Sequence, residues 1–383
     1  MSQSVFLEPL DVLFLRGNKL FGDPGCYGEA LIPPWPSVAA GALRSRMLVD
    51  DGIDLAAFAR GEIDHPTLGT PAKPGSFAVT AFHLARRGPG GNVEILIQPP
   101  ADLVLSEADG GNLLVRALKP TAITSPGLAS SCALPQLPVL AESERRKPTS
   151  GYWLGESGWR KYLAGAVPDA ADVVKTSALW LLDHRVGVGL DAATGRASDG
   201  QLFSVQAVAM RPDVGFLATV TGAVPAVSGS LRFGGDGRAA AVSKVPYHPP
   251  AADYPAIVDA GRCRLLLTTP GLFKNGWLPT GIDQHADGSY RFDLHGVKAR
   301  LVSAAVPRAE VVSGWDLAKR QPKPAQRAVS SGSVYWFDEL DATAEALGKL
   351  VEAGLWCDPC EDEDAARRAE GFNRCLPAAW ETR

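Results

Sequence analysis

The chain has 383 residues, 46% hydrophobic and 21% charged, enough to bury a large core and more than one core usually fills, so two domains are expected. Its 38 basic and 42 acidic residues leave a formal net charge of −4, which excludes a global field that would draw the molecule to polyanions. Any nucleic-acid contact must therefore be a local patch.

The opening run carries Glu8 and Asp11 and has neither a basic leader nor a small-residue cleavage site, so no secretory signal is expected. No apolar run approaches the roughly 18 residues of a membrane span. The reading is a soluble, cytoplasmic chain with no membrane partner. Its six cysteines (Cys26, Cys132, Cys263, Cys357, Cys360, Cys375) are scattered, which favours reduced thiols over a disulfide framework. With 40 glycines and 30 prolines punctuating short apolar runs, many strands joined by loops are expected.

In chain order, residues 5–15 are apolar on both alternating faces and read as a central strand. That run stops at Arg16-Gly17-Asn18-Lys19 and resumes at Leu20-Phe21. A turn alone would need Asn-Gly or Asp-Gly, not two cations flanking a glycine. After the glycines of residues 22–28, IPPWPSVAAGALRSRML reads as a helix capped by Ser37, with Ala39, Leu43 and Met47 on its buried stripe and Arg44 and Arg46 flanking that stripe. Residues 77–84, 93–97, 103–105 and 113–117 have a sheet-like rhythm, and the proline-rich 120–148 reads as a loop or extension.

Residues 157–163 suggest a short capped helix, and residues 168–172 a linker, which places the domains at 1–168 and 173–383. Strand signals return at 179–182, 201–210, 215–221 and 264–268. DATAEALGKLVEAG is an amphipathic helix with Asp341 as its cap and Gly354 as its terminator. Strands mixed with few helices in each half make the class α+β.

The common enzyme signatures are missing: no phosphate loop GxxxxGK[ST], no HExxH and no GxSxG, with Gly155-Glu156-Ser157-Gly158 wrongly spaced for a nucleophile elbow. His285, Asp287, Asp293 and His295 fall on a hairpin that would spread them over both faces, which favours a polar hairpin over a metal site. Cys357, Cys360 and Cys375 lack the fourth ligand of a structural zinc site. No metal and no cofactor is expected. His184 and His248 remain as a general base in an alternative reading.

Two further stretches suit polyanions. Gly234, Gly235 and Gly237 with Arg238 would let backbone approach a phosphate beside a guanidinium, although a glycine-rich hairpin turn explains the same letters. Between residues 298 and 327, Lys298, Arg300, Arg308, Lys319, Arg320, Lys323 and Arg327 face only Glu310 and Asp316, with Trp315 among them. Cations around an aromatic suit a nucleic-acid strand through phosphate contacts and stacking; a solvated loop is the alternative.

Taken together, DVLFLRGNKLFG, PPWPSVAAGALRSRM, WRKYLAG, HRVGVGLDAATGRASDGQLF, LRFGGDGRAA, LTTPGLFKNGWLP and VSGWDLAKRQPKPAQRAVSSGSVYWF resemble, in order and spacing, the third-subunit family of the type III-B CRISPR effector. That family belongs to the Cas-five-like group of the RAMP superfamily, and its effector is the Cmr complex. The resemblance implies two ferredoxin-like, RRM-type domains with long insertions, one a thumb-like extension. It also implies a non-catalytic scaffold that binds the 5′ tag of the CRISPR RNA and docks against the large polymerase-like subunit and backbone subunits for antiviral defence. The RNA-facing residues would be Arg16, Gly17, Asn18, Lys19, Arg44, Arg46, Gly234, Gly235, Gly237 and Arg238, joined by Trp315, Lys319, Arg320, Lys323 and Arg327 of the basic segment. A RAMP-type endoribonuclease and a protein-interaction module that touches no RNA are the rival readings. The tail CDPCEDEDAARRAEGFNRC departs from the family pattern.

Overall fold

The computed structural model describes residues 2–17, 27–108, 110–122, 130–359 and 362–380. Its class is α+β, with mostly antiparallel sheets and few helices. The first strand, Ser2–Pro9, explains its own unbroken VFL run: Val5 and Leu7 point into one core and Phe6 into another, so both faces are covered. It lies inside a six-stranded sheet whose order is Ser230–Arg232, Ala239–Lys244, Ser2–Pro9, Val214–Thr221, Ala78–Arg87, Val93–Leu96. A second six-stranded sheet runs Ile282–Gln284, Tyr290–Leu294, Val297–Ala305, Val334–Asp341, Cys263–Leu267, Cys375–Ala379.

Within each sheet four antiparallel strands stand in the order fourth, first, third, second by sequence. The helix Pro36–Asp50 covers the outer face of the first sheet through Ala39, Leu43 and Met47, and the helix Ala344–Ala353 covers that of the second through Leu347 and Leu350. Phe6, Ala85 and Leu217 of the first sheet share one buried cluster with Leu266, Val334 and Trp336 of the second. The inner faces thus form a common core. Arg264 crosses it, ion-paired at 2.8 Å with Asp102 and donating to the Tyr162 carbonyl, while the Tyr162 hydroxyl donates to Asp102. Each of these buried polar groups has a partner, as burial demands.

Several expectations need correction. The strand placed at 5–15 ends at Pro9, because the Asp11 carboxylate accepts the Val12 amide and turns the chain out of the sheet. Ser37 is not a cap: Pro36 occupies the first helical turn, where its missing N–H costs nothing, and Trp35 stands at the N-cap position without a side-chain bond. Thr343, not Asp341, caps the later helix by accepting the Ala346 amide. Residues 168–172 are no free linker, since Asp172 is buried and accepts bonds from Ser157, Lys161 and the Asp169 amide. Strands on both sides of that stretch share the first sheet, and the chain passes to the second between Lys244 and Cys263.

The sequence alone does not place every element. The tail supplies the helix Asp362–Glu370 and the edge strand Cys375–Ala379. Residues 120–148, expected as a loop or extension, contain strand Gln136–Val139, paired with Lys119–Ala122.

Candidate nucleic-acid interface

Once the chain leaves the first sheet, Leu13 exchanges both backbone bonds with Val208, and the Leu15 carbonyl accepts the Leu31 amide. Val208 belongs to strand Ala197–Met210, which pairs with Trp180–Leu190 as a long arm and, at Ser204 and Val205, with the short parallel strand Tyr27–Gly28. The segment 12–17 is therefore held at the root of the arm. Phe14, between these anchors, is almost fully buried.

The glycine cluster is a hairpin turn, closed by the Phe233 amide on the Arg238 carbonyl, and it is also laid against the segment 12–17. Gly235 donates its amide to the Phe14 carbonyl at 2.8 Å. Gly234 has φ +82°, and a Cβ there would stand 2.9 Å from the same carbonyl, so this approach requires glycine. Asp236 and Gly237, at φ 55° and 69°, complete the left-handed turn. Arg16 Nη2 then meets Asp236 Oδ1 at 2.8 Å. Two stretches 220 residues apart in sequence become one site.

Two guanidiniums lie over the Phe14 ring: that of Arg238, at 5.1 Å from its centroid, and that of Arg185 from the arm, at 5.9 Å. Both are within the range in which a ring face attracts a cation. Arg238 is ion-paired with Asp11, and Arg185 with Asp183 at 2.9 Å. Sequence reasoning passed over Arg185, Phe14, Asp11 and Asp236. Only the preference of a cation for an aromatic face hinted at the first two, and nothing local hints that the two aspartates would meet these arginines.

The remaining expected residues divide. Gly17 stands beside Leu31, while Asn18 and Lys19 lie outside the described residues. Arg44 does not join the site: its guanidinium stacks on Phe77 at 5.0 Å, and burial pulls its pKa down. Arg46 binds Asp50 at 2.7 Å and the Ser230 carbonyl, fastening the helix Pro36–Asp50 to the strand that precedes the glycine turn. It supports the turn from behind.

The basic segment forms two nested antiparallel pairs, Glu310–Val312 with Gln326–Ala328 and Trp315–Asp316 with Gln321–Pro322. At its tip Trp315 is 54% and Leu317 71% exposed, and Lys319 and Arg320 are exposed too. Arg327 is exposed, whereas Lys323 is spent on the buried carboxylate of Glu370, which also binds Arg367 at 3.1 Å. The root packs on the site: Val312 and Ala328 cluster with Trp35, Leu31 packs against that cluster, and Leu31 is bonded to Leu15. Lys298 and Arg300 are elsewhere, paired with Asp293 and Asp338 on the second sheet.

Of the two rival bases, His184 lies on the arm opposite Gln206, and His248 on the exposed connection to the second sheet. A separate cavity of about 460 Å³ is lined by Lys119, Gln136, Arg262, Arg264, Asp338 and Trp380. Its charges serve packing: Arg264 donates to Asp102, Tyr162 and Ala379, Asp338 holds Arg300, and Arg262 covers the Trp380 ring.

A family model described as CRISPR-associated protein (Cas_Cmr3) matches residues 5–380. No curated protein matches the chain. Among solved structures, a chain of the cryo-EM structure of the Type III-B Cmr-beta bound to cognate target RNA and AMPPnP, state 1, is 14% identical with a TM-score of 0.49, over 97% of this chain and 96% of that one. A chain of the cryo-EM structure of the Type III-B Cmr-beta bound to cognate target RNA is 15% identical with a TM-score of 0.47, over the same shares of each chain.

Proposed function

The chain belongs to the Cas_Cmr3 family, a subunit of the type III-B Cmr effector, and from that premise we propose that it is a non-catalytic scaffold holding the 5′ tag of the CRISPR RNA. The carrying observation is the convergence of Arg16, Arg185 and Arg238 around Phe14 at the root of the arm. Phosphates would be met by these guanidiniums, and splayed bases by exposed aromatic and apolar groups. The hairpin of Trp315, Lys319, Arg320 and Arg327 extends the same face.

The repeated strand order supports reading the two sheets as ferredoxin-like units, with the arm Trp180–Leu190 and Ala197–Met210 as the thumb-like insertion. Docking against the large polymerase-like subunit and the first backbone subunit would bury the apolar side chains that the arm exposes. In this reading the histidines have no catalytic part.

The test is an RNA-binding titration with the assembled particle and RNA carrying the repeat-derived tag. Replacing Arg16 and Arg238 together with alanine should weaken binding about tenfold or more and shrink the salt slope by about 0.7 for each lost phosphate contact. The RNA should stay uncleaved throughout. Unchanged affinity and slope, with the variant's unfolding midpoint preserved, would remove this face from the RNA path.

A further inference from the structure

The three arginines around Phe14 are already paired. Arg16 is held by Asp236, Arg238 by Asp11 and Arg185 by Asp183, and these aspartates are 50%, 62% and 42% exposed at their side chains. An RNA phosphate arriving here cannot simply add to a cation. It must take the arginine from a carboxylate that also repels it.

We infer that Asp11 and Asp236 are specificity-determining residues, which make RNA binding at this face an ion-pair exchange and so suppress binding of RNA that offers only phosphates. The inference rests on the RNA-binding role of the face proposed above. An exposed ion pair is weak, worth at most about fivefold in an equilibrium. A phosphate held by an arginine alone gains little from such an exchange, whereas an RNA that also stacks bases or fills the turn regains the difference.

The geometry makes the device specific to these two carboxylates. Asp236 stands at φ 55° between Gly235 and Gly237, so the turn that lays Gly235 on the Phe14 carbonyl also presents its carboxylate to Arg16. Asp11 turns the chain out of the first sheet by accepting the Val12 amide with one oxygen while the other binds Arg238. Both aspartates thus sit on the connections that bring the site together, beside the arginines they screen.

The test replaces Asp11 and Asp236 with asparagine in the full chain, measured in the assembled particle against two labelled single-stranded RNAs, one tagged and one scrambled. Asparagine retains an amide-accepting oxygen at position 11 and tolerates the left-handed backbone at position 236. Binding of the scrambled RNA should tighten about three- to tenfold, more than that of the tagged RNA, and its salt slope should steepen. D236N alone gives a smaller change of the same sign, should the double variant fail to fold. The Arg16→Ala, Arg238→Ala variant is the reference. If it weakens binding while D11N/D236N does not tighten it, the exchange idea is wrong and the RNA face stands. If neither pair of substitutions changes binding, both fall.

Discussion

Phe14 shows how one residue can organise several charges. Its carbonyl fixes the glycine turn, and its ring carries Arg185 and Arg238. Arg44 shows the opposite case, a cation that reads as functional in sequence and is absorbed by Phe77. His83 adds a prediction at this scale. It lies opposite Leu217, on the sheet face turned towards the shared core, and burial holds its imidazole down to about 4. The unfolded chain, with an ordinary histidine near 6.5, therefore binds more protons between those values. Stability is fully present above about 6.5 and is lost as the pH falls towards 4, by roughly 1–3 kcal/mol from this group. Urea unfolding at several pH values in this window checks it; His83→Gln should flatten the dependence, and a dependence identical to that of the unmodified protein would assign the effect elsewhere.

At the scale of elements, the arm is a ribbon with only two strands beyond Ser204, and a hydrophobic core supports it only near its root, where Trp180 and Val208 are buried. Further out, Val186, Val188, Leu190 and Leu202 are exposed, Val186 to 68%. Two strands alone are marginal in water, so local devices keep the ribbon formed. The Phe203 ring covers Gly187 directly across the pair, leaving no room for a Cβ there. Joining Val186 to Ser204, which are paired in register, through an Asn-Gly turn would remove residues 187–203 beyond that pair. The unfolding midpoint should shift by only a few degrees, because little buried surface is lost. RNA affinity of the assembled particle should drop about tenfold, the worth of roughly one stacked base. A large loss of stability would instead make the outer arm part of the folding core.

For the whole molecule, the shared cluster around Phe6, Leu217 and Trp336 joins both sheets, and the buried Arg264–Asp102 pair locks the second sheet to the connection beside the first. The tail strengthens the join: the helix Asp362–Glu370 packs near Pro36–Asp50, and Arg374 donates to the Val79 carbonyl of the first sheet. Chemical unfolding should therefore be a single transition reported alike by fluorescence and circular dichroism. Asp102→Ala should lower that stability by about 3–5 kcal/mol, since it leaves the Arg264 charge buried without its partner. Two separated transitions would show that the sheets unfold independently. Among the described residues no helix is long and apolar enough to cross a membrane.

The sequence by itself determined where several of the short strands and the helices Pro36–Asp50 and Ala344–Ala353 lie, because period-two and helical patterns are local and burial enforces them. It also marked the glycine turn and the break at Arg16, since left-handed backbone and charge at a strand end leave letters behind. What only the tertiary structure decided is which cations share a face. Arg16 and Asp236 meet because four strands reorder the chain, Arg44 and Lys323 are consumed by Phe77 and Glu370, and the tail returns as an edge strand. Such pairings rest on contacts between residues tens to hundreds of positions apart, and a side chain carries no local signal of the partner it will meet.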